Sequence, residues 1–264
     1  MTTRARTLSI NVRNKTAVAD IPFPSRHWSR RLPVLIRFIR NVAPSVIGVQ
    51  ECRDDMAVDI TNGLGPAWTF WGTRTAKLIW DTSKWTAIDQ FEAGLPFKEL
   101  GITKYRPLTM VKLMSIRTGE SAWFASIHLV TNIANEESIR QAQMRLITEH
   151  ISERPDNSRV IIFADLNSVS TTSSVRKIAR DAGYNHLRAR LSDEAMTGDS
   201  RNTFNGWKIT KREGNWIDDV LTSSSVRPYA GVVELTDTTA YPIFVTDHNG
   251  VFARVEFGVS GPLD

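Results

Sequence analysis

The sequence predicts an α/β layered sandwich. Three observations predict it: many short apolar or alternating segments, few helical ones, and frequent direct connections from one strand to the next. A doubly wound parallel sheet would instead alternate strand and helix throughout.

The elements follow in order. Thr7 to Val12 alternates and reads as a strand. Trp28 to Asn41 places Leu32, Leu35, Ile36 and Ile39 on one helical face, tolerates Pro33 near its start, and is stopped by Pro44. Val46 to Gln50 is a short apolar strand. Strand-prone segments recur around Trp68–Trp71, Lys77–Trp80, Trp85–Phe91, Leu108–Ser115 and Trp123–Leu129, with Gly119-Glu120 as a hairpin turn between the last two. Glu136 to Glu153 reads as a long helix with Ile139, Met144, Ile147 and Ile151 on one side. Val160 to Phe163 has the look of a buried strand, and Ser173 to Asp181 of a helix closed by Gly183. Strands return at Ile217–Leu221, Gly231–Leu235, Ile243–Val245 and Val251–Phe257.

The chain has 264 residues, 41% of them hydrophobic. With no Pro/Gly/Ser linker, repeat or low-complexity tract, a single domain over 1–264 is expected. No run approaches the roughly 18 apolar residues of a membrane span. Met1 to Arg6 leads into a strand without an apolar signal core, and Cys52 is the only cysteine. Both fit a cytoplasmic location. No protein partner can be inferred.

The net charge of +5 is unevenly placed. Residues 1–40 hold nine Lys/Arg against Asp20 alone, a net +8, and the remainder is slightly acidic. A basic end on a near-neutral body suits a polyanion such as nucleic acid, and equally suits a solvated face.

Five apolar strands end on oxygen- or nitrogen-bearing side chains: Asn11, Glu51, His128, Asp165 with Asn167, and Asp218. Asp247 and His248 sit side by side near the C-terminus, between two strand-like runs. Each alone has an ordinary reading. Asn11 is a common turn former, Glu51 can pair with Arg53, Asp165-Leu166-Asn167 can be an Asx turn, and His128 a core histidine. Together they match phosphoryl chemistry, which needs hard oxygen ligands for a cation such as Mg²⁺, a base for water, and neutral donors for phosphate.

With these residues in this order the chain resembles the endonuclease/exonuclease/phosphatase superfamily, over essentially its whole length. The matching stretches are Ser9–Val12, Val46–Glu51, Ser126–Leu129, Phe163–Asn167, Thr203–Gly206, Trp216–Leu221 and Thr246–His248. The resemblance implies two packed, mostly antiparallel β-sheets with helices outside and the site at one edge. It implies Glu51 as principal Mg²⁺ ligand (Mn²⁺ being an alternative), assisted by Asn11, with Asp247 near the metal. Asp165 would orient or deprotonate the attacking water, Asn167 would bond the phosphate, and His248, oriented by Asp218, would act in proton transfer. The identity of the base stays open. His128 resembles a second histidine of the deoxyribonuclease and sphingomyelinase branches, and Arg106 a phosphate-contacting arginine. Arg13 departs from the abasic-site branch, which has an acid there; Asn205, Trp216 and Asp219 depart beside the site.

Two functions follow. One is a Mg²⁺-dependent nuclease, for which Trp207 to Trp216 offers Lys208, Lys211 and Arg212 between two tryptophans. The alternative is a phosphatase or phosphodiesterase acting on a small or lipid phosphate with the same core chemistry.

Overall fold

In the computed structural model, which describes residues 1–97, 102–131, 136–169, 173–192, 195–197, 202–208, 215–234 and 245–258, the strands form two sheets packed face to face. In chain order the elements are β1 (Thr2–Asn11), α1 (Trp28–Val42), β2 (Val46–Gln50), α2 (Asp54–Leu64), β3 (Trp68–Trp71), β4 (Lys77–Asp81), β5 (Trp85–Phe97), β6 (Ile102–Ser115), β7 (Ser121–His128), α3 (Glu136–Ser152), β8 (Val160–Asp165), α4 (Ser174–Asp181), β9 (Tyr184–His186), α5 (Leu187–Arg190), β10 (Met196–Thr197), β11 (Asp218–Ser223), β12 (Arg227–Glu234) and β13 (Gly250–Gly258). Short 3-10 turns lie at Val18–Asp20 and Pro24–Arg26.

One sheet has the order β10-β12-β13-β1-β2-β4-β3 and the other β5-β6-β7-β8-β11-β9. The neighbours are antiparallel except β1–β2, β7–β8 and β10–β12. This is the expected sandwich of two mostly antiparallel sheets.

Three apolar layers hold it. Val46, Leu78, Val111, Phe124, Phe163, Val220 and Val251 meet between the sheets. α1 and α2 cover the first sheet through Leu35, Phe38, Ile39, Met56 and Ile60. α3 and α4 cover the second through Met144, Ile147, Ile151 and Val175. β2, β4, β8 and β11 are therefore buried along their whole length, and β2 and β8 accordingly run apolar instead of alternating until their polar last residues. The sheets approach so closely at Gly48 that a Cβ there would overlap the Phe163 side chain. α1 ends as expected, with Ala43 in the left-handed region (φ 50°) directly before Pro44.

Two features differ from expectation. α2 is a helix whose β-branched Val58, Ile60 and Thr61 hide its period; its signals are Asp54 and Asp55 in the first turn and Gly65 (φ 118°) at the end. β5 and β6 run well beyond the segments legible in sequence. The strand expected at Ile243–Val245 lies outside the described residues except for Val245, which is not in a strand. Among the described residues no helix is long and apolar enough to cross a membrane.

Candidate active site

Strand register assembles the site. β7 and β8 run parallel with His128 opposite Asp165, and β8 and β11 run antiparallel with Asp165 opposite Asp218. Three side chains thus stand in a row at one edge of the second sheet. On the first sheet β1 and β2 run parallel with Asn11 opposite Gln50, so Glu51 emerges one residue beyond. Asp247 and His248 arrive on the segment just before β13. The site therefore straddles both sheets.

The side chains meet in a cleft of about 500 Å³. Glu51, His128, Asp165, Asn167, Asp247 and His248 line it; Asn11, Asp218 and Arg106 stand behind them. Asn11 Nδ2 donates to Asp165 Oδ2 (2.9 Å) and Glu51 Oε1 (3.2 Å), while its Oδ1 accepts the Arg13 N–H at 2.9 Å. Asn11 thus bridges the two carboxylates through its amide nitrogen. Asp165 Oδ1 accepts the Asn167 N–H at 3.1 Å, and Asn167 Nδ2 donates to the Leu129 carbonyl. Four of the six non-glycine residues with positive φ among those described, Arg13, Glu51, Asn167 and Trp207, line this cleft. Left-handed backbone without glycine is held only where surrounding contacts enforce it, as they do here.

Two histidines behave in opposite ways. His248 Nδ1 lies 2.9 Å from Asp218 Oδ2. Burial alone would disfavour its charge, but Asp218, then Asp165 and Asp247, raise its pKa to about 10. His128 Nδ1 accepts from Arg106 at 3.0 Å, so its Nε2 carries the proton, 3.4 Å from Asp165 Oδ2. Burial and then Arg106 push His128 well below the ordinary histidine range. Asp165 is raised to about 7, by burial first and then by Asp218. Glu51 goes the other way, to about 2: burial opposes its charge, and His128, the Asn14 N–H, Arg13 and the Asn11 amide outweigh burial. With the His128 ring neutral, that charge rests on the last three. Asp247 is raised by burial, with Arg13 3.5 Å away holding its charge in part. Ligand atoms of Asp165, Asp218 and His248 lie within 4.8 Å of one another, a group that could hold a metal ion.

Residues not singled out in the sequence brace the site. Arg31 is fully buried and donates to the carbonyls of Val12, Arg13, Arg26 and Val245, tying the end of β1 to the segment that carries Asp247. Arg176 pairs with Asp219 (3.1 Å) and donates to the carbonyls of Ser168 and Trp216, tying the Asn167 turn to the start of β11. Thr203 Oγ1 accepts the N–H groups of Ile217 and Asp218, both at 2.9 Å. The legible signal was an arginine on an otherwise buried helix face, beside Leu35 and Phe38 in α1 and Val175 and Ala179 in α4.

Two expectations about cations fare differently. Arg106 stands behind His128, not in the cleft lining. Lys208 is exposed, whereas Lys211 and Arg212 lie outside the described residues. Trp216 is only 4% exposed, with Arg188 over its ring, so it cannot stack on a base; Trp207 lines the cleft under Arg26 and Arg31. The +8 stretch is no single open face either. Arg4 pairs with Glu256, Arg13 and Arg26 with Asp20, Lys15 with Asp55, and Arg6, Arg31 and Arg40 hold backbone carbonyls.

Neither a protein-family sequence model nor a curated protein sequence matches the chain. Solved structures do. An endonuclease/exonuclease/phosphatase family protein from Bacteroides thetaiotaomicron superposes with a TM-score of 0.85 at 19% identity, over 98% of this chain and 97% of that one. A mannosyl-6-phosphatase of the same organism gives 0.82 at 19%, over 95% and 98%. TDP2 from D. rerio, complexed with a single-strand DNA product, gives 0.73 at 15%, over 96% and 99%. The architecture traced above, two packed sheets with polar strand ends gathered at one edge, is the endonuclease/exonuclease/phosphatase fold.

Proposed function

We propose that the chain is a divalent-metal-dependent hydrolase of phosphate esters. One observation carries this reading: a carboxylate near neutrality, Asp165, shares a cleft with a charged histidine, His248, and an ionised carboxylate, Glu51. The first can take a proton, the second can give one, and the third suits a hard cation. The all-oxygen donors Glu51 and Asp247 fit Mg²⁺ or Mn²⁺. Asn11 assists them: its Nδ2 bridges Glu51 and Asp165, and its Oδ1, which accepts the Arg13 N–H, keeps a second lone pair for the cation. A metal bound there would supply charge for the phosphate oxygens as they become more negative.

The protein's own groups would do the rest. Asp165, oriented by Asn11 and Asn167, accepts a proton from the attacking water. Asp218 fixes the His248 ring through Nδ1, leaving Nε2 as the atom that donates to the phosphate or the leaving oxygen. His128 keeps a neutral N–H against Asp165, and Asn167 offers its amide to the substrate.

For substrate, the nuclease reading is supported by Arg13, Arg26 and Trp207 on the cleft wall and by exposed Lys208. The TDP2 structure with its DNA product supports it by fold alone. The alternative, a phosphatase or phosphodiesterase on a small or lipid phosphate, is favoured by the burial of Trp216 and the internal pairing of the N-terminal cations, and the mannosyl-6-phosphatase shares the fold.

The test is hydrolysis with Mg²⁺ of plasmid, single-stranded DNA, RNA, bis-p-nitrophenyl phosphate and p-nitrophenyl phosphate. EDTA should silence every active substrate, and Glu51→Gln should cut turnover by about 10²-fold or more, as metal charge is worth several kcal/mol. Full activity in EDTA would end the proposal. Replacing Lys208, Lys211 and Arg212 by Ala should weaken DNA binding, flatten its salt dependence and spare the aryl diester. An unchanged DNA affinity would favour the alternative substrate.

A further inference from the structure

Residues Val18 to Phe23 are built inside out. Val18, Ile21 and Phe23 are 78%, 64% and 45% exposed, whereas Asp20 between them is 6% exposed. The buried acid is gripped from below by Arg13 (3.0 Å) and Arg26 (3.7 Å), and His27 Nε2 meets the Ile21 carbonyl at 3.1 Å. Two 3-10 turns complete the support. The apolar side chains are thus presented by a fixed scaffold. Scattered surface apolar residues need no explanation, but a contiguous group does.

Its place is informative. Ala19 and Asp20 line the cleft, and across the mouth stand Val169 and Phe204, themselves 58% and 37% exposed. Of nine large hydrophobics exposed among the described residues, two therefore line the cleft and three belong to the segment whose Ala19 and Asp20 line it. The cations beside this tip are Arg30, in the first turn of α1, and Lys208, both exposed, with Arg13 and Arg26 on the cleft wall sharing the single buried acid Asp20. The acids nearest in sequence on α2, Asp54 and Asp55, are held by Lys77 and Lys15.

We propose that this rim docks the protein on an anionic lipid surface, with the cleft facing the bilayer. An aliphatic tip with a basic collar is the chemistry that lies in a membrane interface: apolar groups enter the acyl boundary and cations meet the headgroups. Nucleic acid fits less well, because Val18 and Ile21 have no ring to stack on a base. So docked, the cleft would meet a headgroup phosphate without lifting the lipid from the bilayer.

The test is co-sedimentation of the full chain with vesicles of phosphatidylcholine alone or mixed with phosphatidylserine, beside hydrolysis of soluble bis-p-nitrophenyl phosphate in Mg²⁺. The chain should bind the mixed vesicles, release them as salt rises, and ignore phosphatidylcholine alone. Val18→Asp and Ile21→Asp should each weaken that binding about tenfold, the scale of one lost aliphatic anchor, and should leave the soluble ester and the melting temperature unchanged. Failure of the wild type to sediment with mixed vesicles, or sedimentation of both variants like wild type, overturns the docking surface. Sedimentation requires no turnover, so an inactive chain that still binds would overturn the hydrolase reading and leave the docking in place.

Discussion

The cleft holds two Asp–His pairs, and they differ in construction. His128 and Asp165 belong to one sheet, side by side in the parallel register of β7 and β8. His248 and Asp218 bridge the two sheets, at 2.9 Å instead of 3.4 Å. The first pair has Arg106 behind its histidine, which discourages a second positive charge; the second has three carboxylates, Asp218, Asp165 and Asp247, acting on its histidine. The same two residue types therefore yield a neutral histidine beside a carboxyl near pH 7 and a charged histidine beside a carboxylate. The lesson is that the same pair can be ruled by different neighbours: Asp218 itself, bonded at 2.9 Å, holds the proton on His248, whereas burial and Arg106 keep it off His128. Under the proposed function, the first pair would serve as proton acceptor and the second as donor at neutral pH.

The largest break in this contrast removes the acceptor or the donor. Asp165→Asn and His248→Ala should each lower kcat on bis-p-nitrophenyl phosphate by about 10²–10⁴-fold, with the double variant far from multiplicative. Both should melt near wild type; a loss of folding would make the residue structural. Next in size is Asp218→Asn, expected to cost about 10–10²-fold. In wild type, activity should rise as Asp165 deprotonates near pH 7 and fall as His248 deprotonates near pH 10. Without the Asp218 charge both pKa values drop, so the whole bell should move to lower pH. An alkaline limb that stays near 10 would exclude Asp218 as the group that holds the His248 proton. The smallest effect is expected from Arg106→Leu, within about tenfold in rate. Burial still keeps the His128 ring neutral, and ionised Asp165 loses a nearby cation, so only the acid limb should move, and it should move up. A shift of both limbs would show that the two pairs are not separable.

Much of this was legible because the site lies on strand ends. Glu51 follows a run that is apolar because both faces of β2 are covered, and Asp165 ends β8 in the same way. The strand-rich pattern carried the fold class, and the order of those ends marked the residues of the cleft. The braces were hidden, since Arg31 and Arg176 act on backbone carbonyls far away in sequence, and a helix pattern cannot say which carbonyl an arginine will meet. α2 was hidden by its β-branched residues; Ile60, buried against Ile79, Trp68 and Phe70, packs well enough to override propensity. The tip at Val18–Phe23 could not be foreseen either, because nothing local says that its one charge turns inward.

Gly48 gives the two-sheet site a mechanical reading. There β2 lies against β8 with no room for a side chain. Three residues farther, just past the end of β2, stands Glu51, and two residues beyond Phe163 β8 ends at Asp165. Position 48 is the fulcrum of a short pair of tongs whose tips are the carboxylates of Glu51 and Asp165. A methyl group inserted there costs on the order of 1–3 kcal/mol in packing, and whatever part of that is relieved by parting the strands is delivered at the tips as separation of Glu51 from Asp165. Glycine at this position fixes the gauge of the cleft from inside the core.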